Sequence, residues 1–323
     1  MTSKAETDTL SKISGVLLGV ICGDLLGEQV ESTPNTRIIK TFRTNAKYTD
    51  DTEMTLITLQ HLMSFKTIKP LAMSIEYASN ATWSRKYGGN MVKTLKKIKE
   101  QPHKWETAYK EFLEEGSWGN GCLMRIAPLA LFDLNASRED LSQHLTDCLK
   151  STHNNDESLQ CSIEYCLILK ELFQSPTNKI DHMKLVQNVI DRNLNARLTE
   201  KIQLIKDKIL DTNSVEKYDQ LSHFINHDLV EHGIRSSDTL ALVIATLMYN
   251  CKYNQWTPTA LLSIIVSFGG DTDTNASILG AFLGAIYSIN WIAVDWFNNI
   301  ENKTKILNQF QTFGKFLVKE NRV

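Results

Sequence analysis

Residues 267–276 read Ser267-Phe268-Gly269-Gly270-Asp271-Thr272-Asp273-Thr274-Asn275-Ala276 and run into an apolar stretch from Ser277 to Ile289. Paired glycines suit the end of one helix, where the closing backbone often needs a positive φ. Two aspartates and two threonines then fill the turn before the next helix. Asp271 and Asp273, two residues apart, can point into one small volume, and hard oxygen ligands of this kind suit Mg²⁺. A helix N-terminus also stabilises ionised carboxylates beside it. Taken singly the turn has a simpler reading, since Asp and Thr are common N-caps. A second acidic turn far upstream, Tyr48-Thr49-Asp50-Asp51-Thr52, also stands where a helix begins. Two such turns predict one shared site.

Outward from these turns the chain reads as helix. Gly15, Gly19, Gly23 and Gly27 recur every four residues, which lays a smooth stripe along one helix face and lets a second helix approach closely. Each glycine costs about 1 kcal/mol of helix stability against alanine, so the row needs a packing reason. That helix leaves through a polar loop, Glu28 to Pro34. Met54 to Phe65 carries a helical apolar face directly after Asp50-Asp51. Helices are also expected over 70–83, Met91 to Lys99, Trp105 to Glu114, Leu141 to Thr152 and Glu157 to Phe173, with a loop at 84–90. The glycine-rich loop Gly116-Ser117-Trp118-Gly119-Asn120-Gly121 is predicted to open a helix from Cys122 to Phe132 and to offer N–H groups to an anion. It lacks the Lys-Ser/Thr ending of a nucleotide P-loop. Residues 175–232 are more polar and read as outer helices and loops. Ser237-Asp238-Thr239 is expected to cap the apolar helix Leu240 to Tyr249, and Pro258 to start the helix that leads to the central turn. No segment alternates as a strand, so the prediction is one compact all-α domain over residues 1–323.

Composition narrows the class. The chain has 323 residues, 42% hydrophobic and 22% charged, with a net charge of −2. That describes a globular protein with a sizeable core and makes no electrostatic case for nucleic acid or an anionic membrane. Lys93, Lys96, Lys97 and Lys99 read as a solvated helix face. The six cysteines include no Cys-x-x-Cys pair, which fits reduced thiols in the cytosol or nucleus. Met1 to Asp8 carries no signal-peptide pattern. Thr274 to Val294 is uncharged and long enough to span a bilayer, but its polar residues and preceding acidic turn favour a helix buried in the protein.

Taken together, Gly23-Asp24 with Glu31, the 48–52 turn, Gly116 to Arg125, Thr152-His153 and Gly269 to Thr274 resemble the ADP-ribosylglycohydrolase family. The resemblance runs in order from about residue 12 to 290. It implies an all-α hydrolase with two Mg²⁺ (or Mn²⁺) ions at the bottom of an ADP-ribose cleft, acting on ADP-ribosylated protein as a monomer. By position, Thr49, Asp50, Asp51, Asp271, Asp273 and Thr274 resemble the metal ligands, with Glu31, Asp50 and Asp273 as the catalytic residues. Glu31 falls where the serine-linked and poly-ADP-ribose subgroup has a mobile acidic residue, with Gly27 behind its loop and Pro34 ahead. Arg85 to Asn90, which includes Gly88 and Gly89, and the aromatic Trp118 also resemble that subgroup. Ser117, Trp118, Gly119, Asn120 and Gly121 would hold the diphosphate and distal ribose, and His153 would line the cleft. The chain departs from the subgroup at Cys122-Leu123, where small residues are usual.

Three alternatives stay open at this point. One is an arginine-linked hydrolase, for which Glu28 or Glu31 would receive the guanidinium. Another is a helical metal phosphohydrolase, hinted at by His227-Asp228 alone. The third is a relative that binds ADP-ribose without catalysis, against which the complete ligand set argues.

Overall fold

A computed structural model describes every residue except 1–3, 32–38, 42, 44, 177–179, 211–217 and 232. Pro34 therefore lies outside the described residues. In chain order the helices are α1 (Lys4–Gly27), α2 (Asp50–Phe65), α3 (Pro70–Asn80), α4 (Gly89–Glu100), α5 (Ala127–Phe132), α6 (Arg138–Leu149), α7 (Asp156–Gln174) and α8 (His182–Arg192). They continue as α9 (Ala196–Ile205), α10 (Tyr218–His223), α11 (Ser236–Tyr253), α12 (Pro258–Ser267), α13 (Thr272–Tyr287), α14 (Val294–Asn298) and α15 (Lys303–Lys319). No strand occurs among the described residues, so the protein is all-α; a single isolated bridge joins Gly119 to Arg235.

The glycine stripe has its partner. A Cβ on Gly15 would lie 2.3 Å from Ser288 O, on Gly19 2.0 Å from Gly280 O, on Gly23 2.1 Å from Ala276 O and on Gly27 2.2 Å from Thr272 O. Successive glycines of α1 thus meet successively earlier residues of α13, and the two helices run antiparallel with their backbones in contact. Gly280 and Gly284 of α13 complete the seam against Gly19 O and Gly15 O, at 2.0 and 2.1 Å. The missing side chains allow a separation that no Cβ-bearing pair could reach, and many weak dispersion contacts result. By length and composition α1 could cross a membrane, yet 78% of its apolar window is buried inside the protein. It is the central helix of a core. The expectation for 274–294 is met over 274–287 by α13, whose residues Thr272 to Ile286 are all buried; the helix ends at Tyr287, and 288–293 lie outside it.

Three local expectations are corrected. Trp105 to Glu114 forms only 3₁₀ turns, at Pro102–Lys104 and Ala108–Glu111. Within those turns only Ala108 and Tyr109 are buried, too little apolar surface to hold a short helix. The helix expected from Cys122 starts at Ala127, because Pro128 occupies its first turn and lacks an N–H. The 3₁₀ turn Asn120–Cys122 stands in its place. Ser237-Asp238-Thr239 does not cap α11, which begins one residue earlier, at Ser236. Neighbouring helices recruit those side chains instead. Ser237 Oγ donates to Glu157 Oε1 at 2.7 Å, and the buried Asp238 Oδ1 lies 3.2 Å from Lys201 Nζ.

Candidate active site

The α2 end of the site is built by its own cap and by α1. Thr49 is the N-cap of α2, its Oγ1 accepting the Asp51 N–H at 3.3 Å. This puts Asp50 and Asp51 in the first helical turn. Asp24, in the last turn of α1, accepts the Thr49 N–H at 3.0 Å, the Thr52 N–H at 3.1 Å and the Thr52 hydroxyl at 2.6 Å. One carboxylate thereby satisfies backbone donors that a helix start leaves without partners. Asp24 is fully buried, and burial followed by the charge of Asp273 pushes its pKa up to about 7. Gly23 touches α13 and Asp24 holds α2, so adjacent residues of α1 set both acidic turns.

At the other end, Gly269 and Gly270 adopt φ of +78° and +73°, which reverse the chain between α12 and α13. Asp271 occupies the N-cap position of α13 but makes no capping hydrogen bond. Its Oδ2 instead accepts from Asn120 Nδ2 at 2.8 Å, on the glycine-rich loop. The simple cap reading therefore fails for Asp271. Asp273 Oδ1 accepts the Thr274 N–H at 2.9 Å, and Thr274 Oγ1 donates to Asp51 Oδ1 at 3.2 Å. That last bond joins the two turns across 223 residues of sequence. Burial, with the charges of neighbouring carboxylates, holds Asp50, Asp51 and Asp273 well above the usual carboxylate range.

Such a cluster needs positive charge. Among the described residues no Lys, Arg or His lies in ion-pair range of Asp24, Asp50, Asp51, Asp271 or Asp273. Asp51 Oδ2 is buried without any hydrogen-bond partner. Like carboxylates packed this way must share protons or a cation. The donor set, all hard oxygen, fits a divalent metal ion.

Glu31 joins this centre through Gly27. The Gly27 carbonyl accepts the Val30 and Glu31 N–H groups at 3.1 and 3.2 Å and the Thr272 hydroxyl at 2.8 Å. The turn carrying Glu31 is so tied to the first residue of α13. One carboxylate oxygen each of Glu31, Asp271 and Asp273 lie within 4.8 Å of one another. Lys86 Nζ also reaches Glu31, 2.9 Å from its Oε2.

A cavity of about 550 Å³ opens over these groups. Glu31, Asp50, Asp51, Asp271, Asp273 and Thr274 line it, as do Gly88, Gly89, Ser117 to Gly121 and His153. Thr49 does not; it lies buried behind Asp51. The glycine-rich loop differs from the expected anion cradle. Its Ser117, Gly119 and Asn120 N–H groups are already bonded, to Thr152 O (3.4 Å), Ser117 Oγ (3.1 Å) and Ile234 O (2.8 Å). Trp118 is 38% exposed at the rim, with the Arg235 guanidinium 5.2 Å from its ring centre. His153 is buried against Gly121, and its Nδ1 lies 3.1 Å from Thr152 Oγ1. Burial, then the Arg125 charge, lowers its pKa well below the usual range and keeps the ring neutral.

Sequence reading overlooked several cavity residues. Met91, Leu113, Gly233 and Ile234 line it, and no local pattern marks them; Lys86 also lines it and stood in the sequence only as one residue of the 85–90 loop. Asp24 appeared only within a motif, and its clamp on α2 had no separate signal. His227, by contrast, is exposed with its ring 4.4 Å from that of His223, and among the described residues no metal-ligating group includes it.

The sequence profile of the ADP-ribosylglycohydrolase family matches residues 5–321. ADP-ribosylhydrolase ARH3 of Homo sapiens is 25% identical over 345 aligned residues, which cover 93% of this chain and 93% of the human protein. The ARH3 of Danio rerio is 25% identical over 326, covering 89% and 85%. ADP-ribosylarginine hydrolase Tri1 of Pseudomonas putida (strain GB-1) is 24% identical over 313, covering 90% and 74%. A solved structure described as an ADP-ribosylglycohydrolase-related protein complex aligns with a TM-score of 0.70 over 96% of this chain and 99% of that one. At 20% identity it shows a common fold.

Proposed function

The chain belongs to the ADP-ribosylglycohydrolase family and is a hydrolase of glycosidic bonds to ADP-ribose; from that premise we propose that it is metal-dependent and removes O-linked (serine-linked or polymeric) ADP-ribose from proteins. The observation that carries the reading is the meeting of Glu31 with Asp271 and Asp273 in the cavity that the Ser117 to Gly121 loop also lines. Asp50, Asp51, Asp271, Asp273 and Thr274, with Thr49 behind Asp51, would hold the two cations, Mg²⁺ by the hardness of the donors. Bound there, divalent ions would grip the ribose hydroxyls, polarise the leaving oxygen and lower the pKa of a bound water.

The protein's own groups supply the remainder. Buried Asp50 and Asp273 would act by fixing the cations at the floor of the cavity, where the ribose would meet them. Glu31 is the acid–base group, giving or taking a proton at its carboxylate oxygens as the serine oxygen leaves and water adds. A serine alkoxide is a poor leaving group, so that proton matters. Neutral His153 borders the loop that would take the diphosphate and adds no charge of its own. Trp118 offers a flat face at the rim for the adenine.

The loop at 85–90, Trp118 and Glu31 support the O-linked preference, through their likeness to the serine-linked subgroup. The similarity to Tri1 keeps arginine-linked hydrolysis as the competing reading. The test offers purified protein serine-modified and arginine-modified peptides side by side, with Mg²⁺ or with chelator. Metal-dependent release, faster from serine, is expected. Faster release from arginine would overturn the linkage, and equal rates with chelator would overturn metal dependence.

A further inference from the structure

We propose that Lys86 determines which leaving group this site accepts, because its ammonium occupies Glu28 and Glu31, the two carboxylates a guanidinium would use. The inference rests on the hydrolase reading above and names the feature that selects its substrate class.

Lys86 stands in the cavity wall on a segment pinned from both sides. Arg85 Nη1 donates to Tyr48 O at 2.5 Å and to Glu301 Oε2 at 3.1 Å, and Nη2 donates to Glu301 Oε1 at 3.1 Å. The guanidinium lies over the Tyr48 ring, 3.7 Å from its centre. The Arg85 carbonyl accepts the Asp50 N–H at 2.8 Å, which ties this segment to the start of α2. On the other side, the Tyr87 hydroxyl donates to Glu53 Oε2 at 2.7 Å. Between these anchors Lys86 takes a φ of +63°, a left-handed backbone unusual for lysine. Its side chain leaves from a fixed point.

That side chain spends its donors on one place. Lys86 Nζ lies 2.9 Å from Glu31 Oε2, 3.1 Å from Glu28 Oε1 and 3.0 Å from Glu28 O. An ammonium has three N–H donors, so this set is full. Without Lys86, Glu28 and Glu31 would be left as a doubly negative pair, with Glu31 in the cavity near Asp271 and Asp273, suited to a guanidinium. With it, an arginine-linked substrate must displace an ammonium of like charge whose backbone cannot retreat. A seryl oxygen carries no charge and makes no such demand. Specificity of this kind comes from repulsion built against the wrong ligand.

The experiment measures kcat/KM on serine-linked and arginine-linked peptides for wild type, Lys86→Met and Lys86→Arg. A second readout, independent of turnover, is the calorimetric Kd of agmatine, a guanidinium carrier, for protein saturated with free ADP-ribose. Lys86→Met is expected to raise the arginine-to-serine ratio about tenfold and to tighten agmatine by a similar factor, the scale of one partly screened like-charge contact. Lys86→Arg is expected to stay near wild type on both. An unmoved ratio with unmoved agmatine affinity in Lys86→Met would overturn the inference, leaving an ordinary exposed ion pair. So would equal shifts in Lys86→Arg, which keeps the charge. Should wild type release ADP-ribose from neither peptide, the hydrolase reading fails, and the agmatine affinities still decide whether Lys86 excludes a guanidinium.

Discussion

Asp51 Oδ2 and the side chain of Asp271 carry most of the argument at the scale of single residues. The first is a buried acceptor with no donor, and the second stands at a cap position without capping. A merely structural turn would have used both. Asp273→Asn removes one charge from the same set, and turnover at saturating Mg²⁺ is expected to fall about a hundredfold or more. Single-turnover release from a modified peptide checks this, and wild-type rates would reduce Asp273 to a helix-start residue. Trp118 acts on binding. Its exposed ring at the rim suits stacking on a base, which in single-stranded nucleic acids contributes about 1–3 kcal/mol. Trp118→Ala is expected to weaken free ADP-ribose at least about fivefold by calorimetry. Equal affinities would make the tryptophan a structural residue of the rim.

Among the elements, α1 is the ruler against which both acidic turns are set. Its glycine face fixes the depth of α13, and Asp24 fixes the start of α2. Gly23→Ala puts a methyl 2.1 Å from Ala276 O, a backbone atom that can move only with its helix. Overpacking of this kind costs about 1–3 kcal/mol or more, so a clear fall in melting temperature is expected, with weaker Mg²⁺ binding because the turns separate. Gly88→Ala is the control: nothing lies within 4 Å of a Cβ there. Thermal denaturation of the two variants makes the comparison, and a Gly23→Ala protein as stable as Gly88→Ala would mean the helices are not in backbone contact. The glycine-rich loop is held from a second direction. Arg235 binds Glu157 at 2.6–3.0 Å while the Ile234 carbonyl and Ser236 N–H bond the loop backbone. Gly233 and Ile234 thus stand in one wall of the cavity.

The whole molecule stores negative charge at one point, and its stability should report that. Folding raises the pKa values of Asp24, Asp50, Asp51 and Asp273 above their unfolded values. Between the ordinary carboxylate pKa and those raised values, the folded chain holds more protons than the unfolded chain. The linkage sign is then negative, and these groups make metal-free protein lose stability as pH rises. The window opens just above pH 4 and extends to about 7 for Asp24 and past the usual carboxylate range for the others. Melting in chelator at pH 5 and pH 7.5 is expected to show this loss in wild type and a smaller one in Asp273→Asn. Mg²⁺ should restore stability most at the higher pH, since the cation replaces the protons. Identical pH profiles for the two proteins would mean the carboxylates do not repel one another in the fold.

The helical class, the two acidic turns and the glycine row were legible in the sequence because each is a statement about neighbours a few residues apart. Periodicity tells which face of α1 is smooth, and Asp-x-Asp tells which atoms a turn can offer. Neither tells who stands opposite. That α13 fills the stripe, that Asp24 reaches Thr49 and Thr52 across 25 and 28 residues, and that Thr274 meets Asp51 across 223 were decided by tertiary packing. The same holds for Lys86 between Glu28 and Glu31, 58 and 55 residues away, read from sequence only as part of a loop. The shortened helices near 105 and 122 follow this rule from the other side, since local propensity had too little buried surface, or a proline, to act upon. Local chemistry specifies what each turn can hold. Only the close contact of α1 with α13, possible where no Cβ intervenes, brings the turns near enough to hold it together.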